Sequence, residues 1–159
     1  MRRALLLLVA CGCGEPMMTT TPSPIALGSD FQGYESWESF TLPAVDGGTA
    51  HDGDARTVFI NRRPPAGSAE FPVGTLIVKQ LPFVTFAMGK RGGTYNQSGA
   101  RGWEWFDLER HPSGAVVIAW RGLGPPVGEQ YGKSSATCND CHGAHPETDS
   151  VLTPALRLR

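Results

Sequence analysis

A mainly β domain of the α+β class, built on an antiparallel sheet with minor helices, is the fold this sequence predicts. Three observations point to it. The apolar runs are short, they are rich in β-branched and aromatic residues, and glycine and proline separate them. Runs of that kind argue for strands rather than long helices.

Taken in order, Asp30 to Phe40 admits a short helix, and Thr57-Val58-Phe59-Ile60 is the first clear strand. Thr75 to Met88 continues the strand pattern but breaks at Pro82, because proline removes a ladder donor. Trp103 to Leu108 and Ala115 to Trp120 complete the set of four strand segments. Gly92-Gly93, Pro112-Ser113-Gly114 and Gly122 to Pro126 are turn or loop signals between them. The short Pro112-Ser113-Gly114 connection makes the last two strands a hairpin. A second minor helix is expected after Cys138 to His142, near the carboxy end.

The chain of 159 residues has the size of one domain plus a leader. Residues 1–10 read as an export signal, 11–30 as a flexible tether and 31–159 as the folded domain. Met1-Arg2-Arg3 supplies a charged start and Ala4 to Ala10 a short apolar run, as secretion requires. Leu8-Val9-Ala10-Cys11 is similar to the bacterial lipobox, which makes Cys11 the candidate lipidation site. A lipid there would anchor the protein on the periplasmic side of a bacterial envelope. Thr19-Thr20-Thr21-Pro22-Ser23-Pro24 has tether composition. A net charge of -1 with no basic run gives no footprint for nucleic acid.

Cys138-Asn139-Asp140-Cys141-His142 carries most of the chemistry. Two residues between the cysteines place both sulfurs at the vinyl groups of a haem, and the adjacent imidazole reaches the iron. The pattern therefore predicts one covalent haem c per chain, with His142 as the metal ligand. Export agrees with it, since bacterial c-type haem is attached outside the cytoplasm. Two alternatives stay open: zinc held by Cys138, Cys141, His142 and His145, although that cluster is compact for structural zinc, and an ordinary disulfide or redox pair.

A β-rich chain that ends in this motif resembles the cytochrome P-460 family and its relative cytochrome c-prime-beta. The resemblance covers roughly Tyr34 to Ala155. It rests on Tyr34-Glu35-Ser36-Trp37, Arg56 to Asn61, Phe71 to Lys79, Trp103-Glu104-Trp105-Phe106, and Cys138 to His142 followed by Asp149-Ser150-Val151. It implies a homodimer, a small nitrogen-oxide substrate or gas, and an electron-accepting cytochrome as partner.

Lys79, one of only three lysines, ends an apolar strand and shares its face with Ile77, Leu81 and Phe83. Its residues alone suit a rim lysine whose ammonium stays in water. The resemblance implies instead that Lys79 is linked covalently to the haem and enables hydroxylamine oxidation. Relatives without the link bind nitric oxide. Arg56 shares a face with Val58 and Ile60, and the resemblance implies an arginine on the open side of the haem; a salt bridge to Asp54 is the alternative. Glu104 sits between Trp103 and Trp105, turned by alternation away from both rings, and is a candidate proton acceptor. Met88 as a second iron ligand would instead give a closed electron carrier. Trp103, Trp105, Phe83 and Phe86 are expected in the core, and His51, His111 and His145 in solvent.

Overall fold

The computed structural model describes residues 25–44, 54–125 and 137–158. Among these residues six strands form one antiparallel sheet in simple sequential order: β1 (Glu38–Leu42), β2 (Arg56–Ile60), β3 (Leu76–Gln80), β4 (Thr85–Lys90), β5 (Trp103–Arg110) and β6 (Val116–Gly122). The expected mainly β fold is what forms. Pro82 sits in the turn between β3 and β4, closed by Leu81 N donating to Val84 O at 2.9 Å. The Pro112-Ser113-Gly114 connection makes the β5–β6 hairpin, with Gly114 at φ +85° as the turn requires.

Three expectations need correction. No α-helix spans Asp30 to Phe40: the segment makes 3₁₀ turns at Gly28–Phe31 and Tyr34–Ser36, then enters β1. Gly33 at φ +67° separates the turns, and Phe31, Tyr34 and Trp37 recur every third residue, the 3₁₀ repeat. Beyond them Phe40 and Leu42 alternate at period two. Phe83 is 93% exposed at the β3–β4 turn rather than in the core. Extending the alternation of β3 through Pro82 misplaces it, since the strand ends at Gln80. The minor helix, α1 (Cys138–His142), is the cysteine motif itself instead of following it.

The sheet is buried on both faces. One face sets Phe59, Val78, Ala87 and Phe106 against Ala26, Phe31 and Tyr34. Ile25 and Ala26, inside the stretch assigned to the tether, thus pack against the sheet. Glu104 points to this face, where it pairs with Arg91 (2.8 Å) and Arg121 (2.6 Å). Arg121 also donates to the Ala26 carbonyl at 3.1 Å, stapling the amino-terminal segment to β5 and β6. The opposite face sets Val58, Ile60, Ile77, Met88, Trp103 and Trp105 against Val151, Leu156 and the half-buried Cys138. The carboxy-terminal segment, 137–158, therefore covers the face that carries Arg56 and Lys79. Among the described residues no helix is long and apolar enough to cross a membrane. Cys11, the leader and His51 lie outside the described residues.

Candidate functional site

Strand alternation decides which side chains meet. Register pairs Val58 with Lys79, Lys79 with Phe86, Phe86 with Asp107, and Met88 with Trp105, so all share the face covered by residues 137–158. Between sheet and segment lies a mostly apolar cavity of about 270 Å³. Arg56, Lys79, Met88 and Asp107 line it from the sheet, and Cys138, Cys141 and His142 from α1.

Thr137 caps α1: its side chain accepts from Asp140 N, while the Asp140 carboxylate accepts from Thr137 N at 2.6 Å. Asn139 then fixes the helix to the sheet. Its Oδ1 accepts from Asn96 Nδ2 (2.8 Å), Ala100 N (3.2 Å) and Trp105 Nε1 (3.0 Å), and its Nδ2 donates to Asn96 Oδ1 (3.1 Å) and the Leu123 carbonyl. Gly99 admits this approach, because a Cβ there would lie 2.3 Å from the Asn139 side chain.

His142 packs its ring on Trp105, centroids 4.7 Å apart. Its Nδ1 lies 2.7 Å from the Ser150 carbonyl. A carbonyl only accepts, so Nδ1 carries the proton and the lone pair resides on Nε2, as a metal-ligating imidazole requires. Burial lowers the pKa of His142 to about 4, against the Ser150 hydrogen bond and with help from the Lys79 and His145 charges. The ring is neutral at pH 7.

Lys79 turns into the cavity, its Nζ 5.0 Å from the Phe86 ring centroid. Burial and the neighbouring Arg56 charge bring its pKa down to about 7, against the pull of Cys138. The site therefore holds an amine that is partly neutral at physiological pH, unlike a rim lysine in water. Burial likewise raises Cys138 to about 11. Arg56 donates Nη1 to the Pro43 carbonyl at 3.4 Å and lines the same cavity.

Comparisons with family models, curated proteins and solved structures return no match. The cavity's own chemistry has to carry the functional assignment.

Glu104 is the sequence candidate that the fold does not bring to the site. It faces the other side of the sheet, where burial raises its pKa but the Arg121 and Arg91 hydrogen bonds and charges outweigh that and hold it below the carboxylate norm. The carboxylate that does line the cavity is Asp107, which sequence inspection passed over. Alternation puts it on the face of Trp105, but which face the carboxy-terminal segment covers is not written in the strand. Asn139 was also missed, since it stands at an unspecified position of the motif.

Cys138 and Cys141 are free thiols. His145 pairs with Glu147 at 2.9 Å in solvent, and among the described residues no three His, Cys, Asp or Glu side chains converge to hold an ion. Cys138, Cys141, His142 and His145 are thus not gathered around one point here. His111, also exposed, bonds Ser113. Two thiols and a neutral imidazole beside an apolar cavity are the donor set that a covalent haem would use, with Cys138 and Cys141 as tethers and His142 as ligand.

Proposed function

We propose that this chain is an exported mono-haem c-type cytochrome of the cytochrome P-460 type that oxidises hydroxylamine or nitric oxide at an open haem iron. The observation that supports it is that Lys79 and α1 open on one cavity, although 58 or more residues separate them in the chain. Haem bound there would supply the redox-active iron and a coordination position for a small nitrogen oxide.

The protein's own groups divide the remaining tasks. Cys138 and Cys141 tether, and His142 presents Nε2 while Ser150 and Trp105 fix its ring. Lys79 would present its amine, half unprotonated near pH 7, to a haem bound there, and a C–N link to the ring would replace a C–H and an N–H bond and pass two electrons and two protons to a two-electron oxidant such as peroxide. Arg56 offers donors to the oxygen of a bound nitrogen oxide, and Asp107, in place of Glu104, is the carboxylate positioned to take a proton from the substrate. The walls around both are mostly apolar. The leader and Cys11 put the protein in the periplasm on a lipid anchor, where an electron-accepting cytochrome would receive the electrons, and the resemblance adds a homodimer.

A second assignment has its own support. The Lys79 ammonium over the Phe86 ring is a cation–π placement that holds the side chain without a covalent link. An unlinked protein would bind nitric oxide or another gas, or carry electrons if the cavity-lining Met88 bound the iron. The spectrum of the reduced, mature protein separates these. A linked Lys79 red-shifts the Soret band strongly from that of an ordinary c-type haem and removes the free Lys79 peptide from a tryptic digest. Lys79→Ala then restores an ordinary spectrum and abolishes hydroxylamine oxidation. An ordinary wild-type spectrum with an intact Lys79 peptide refutes the oxidase, and carbon monoxide titration then tells an open iron from one closed by Met88.

A further inference from the structure

We infer that the buried Lys90–Asp149 pair is a positioning device that aims the Ser150 carbonyl at His142 and so sets how strongly the imidazole donates to its metal. This rests on the haem assignment for the metal but on the structure for the geometry. Lys90 Nζ lies 2.5 Å from Asp149 Oδ1, with the two side chains 3% and 9% exposed. Lys90 stands on the same sheet face as Trp103, its Nζ 5.1 Å from that ring, and also donates to the Arg101 carbonyl at 3.3 Å.

Every polar group of Asp149 is engaged. Oδ2 accepts from Phe71 N at 2.8 Å, the backbone carbonyl accepts from Trp103 Nε1 at 2.8 Å, and the amide donates to the Pro146 carbonyl at 3.1 Å. These bonds hold a backbone that would not persist alone. Asp149 and Ser150 are consecutive non-glycine residues at φ +48° and +63°, a left-handed pair that survives only where its surroundings over-determine it. The product of that turn is one carbonyl, Ser150 O, placed 2.7 Å from His142 Nδ1. Strain of this kind, anchored from β4, β5 and the loop before β3, and delivering a single acceptor to a ligating imidazole, is the supporting shell a metal ligand needs.

The acceptor does two things. It fixes the Nδ1–H tautomer, and by drawing on that proton it gives the ring imidazolate character. A ring so polarised donates more strongly through Nε2 and favours the ferric state.

The deciding variant is Lys90→Met/Asp149→Leu, because it removes both charges together and leaves no buried ion unpaired. Net charge is unchanged, so a shift in potential cannot be charged to a lost carboxylate. In the mature holoprotein we expect haem to remain attached, the iron–histidine stretching band of the ferrous form to fall in frequency, and the ferric/ferrous equilibrium to move about tenfold toward ferrous, equivalent to about 59 mV. If the double variant does not fold, Lys90→Met/Asp149→Asn, which is isosteric at 149 and also leaves no buried ion unpaired, must lower the band in the same direction. An unchanged band and potential in a folded, haem-loaded variant overturn the inference. A wild type without covalent haem would instead refute the haem assignment. The tautomer of His142, read by nitrogen NMR in the full-length chain, would then decide: Nδ1–H in the wild type and Nε2–H in the variant support the positioning role, and the same tautomer in both defeats it.

Discussion

Replacing Asn139 with alanine tests whether α1 is held to the sheet by one side chain. Asn139→Ala leaves three buried groups without their partner: Trp105 Nε1, Ala100 N and Asn96 Oδ1. Asn96 Nδ2 keeps a partner in the Trp103 carbonyl at 3.0 Å, so it does not add to the loss. An unsatisfied buried group costs about 1–3 kcal/mol. Removing the carboxamide opens room for water beside α1, which places each group at the low end. The expected loss is about 3 kcal/mol, or about 6–12 °C in melting temperature for a domain of this size. Urea and thermal unfolding of the wild type and the variant, in the same haem-loading state, give the number. Asn139→Asp keeps the acceptor but loses both donors and should fall between the two. A loss below about 1 kcal/mol in Asn139→Ala would show that apolar contacts, and not this carboxamide, dock the helix.

Other outcomes follow from the same structure. Glu104 has a folded pKa below its ordinary 4.5, so its contribution is fully present above that value and lost as pH falls through the folded pKa. The stability difference between wild type and Glu104→Gln should be constant near neutrality and shrink on acidification below about pH 4.5, and a difference that grows on acidification would contradict the arginine pairing. Phe83→Ser should leave the unfolding midpoint within about 0.5 kcal/mol of wild type, since the ring is outside the core; a larger loss would show that Phe83 is covered. Cys11→Ser should release the protein from the membrane fraction if the cysteine carries lipid, and wild type recovered unmodified in the soluble periplasm rules the anchor out.

Much of the sheet was legible because its signals are local. Arg56–Ile60, the break at Pro82 and the Pro112-Ser113-Gly114 turn each announce themselves within a few residues. β1 was hidden because Glu38–Leu42 has an ambiguous pattern until β2 pairs with it, Phe40 against Val58. Ile25 and Ala26 were hidden by the proline-rich composition before them, and what orders them is distant: the Arg121 and Arg91 side chains. The haem expectation rests on the spacing of the cysteine motif alone. The carboxylate was not legible, because the choice between Glu104 and Asp107 depends on which face the carboxy-terminal segment covers, and no local pattern encodes that. Asn139 and the Lys90–Asp149 pair were illegible for the same reason, their partners lying 43 and 59 residues away.

The sequential strand order also bears on the order of assembly. Each strand pairs with its neighbour in the chain, so the meander closes through connections of 4 to 15 residues, far shorter than the separations that dock the carboxy-terminal segment. Residues 137–158 dock by contacts that reach much further, such as Asp149 with Phe71 across 78 positions. The sheet can thus gather while Cys138 and Cys141 are still accessible to whatever machinery acts on them. Docking of the tail would then seal its cargo against a surface already built, making the final folding step the one that closes the pocket.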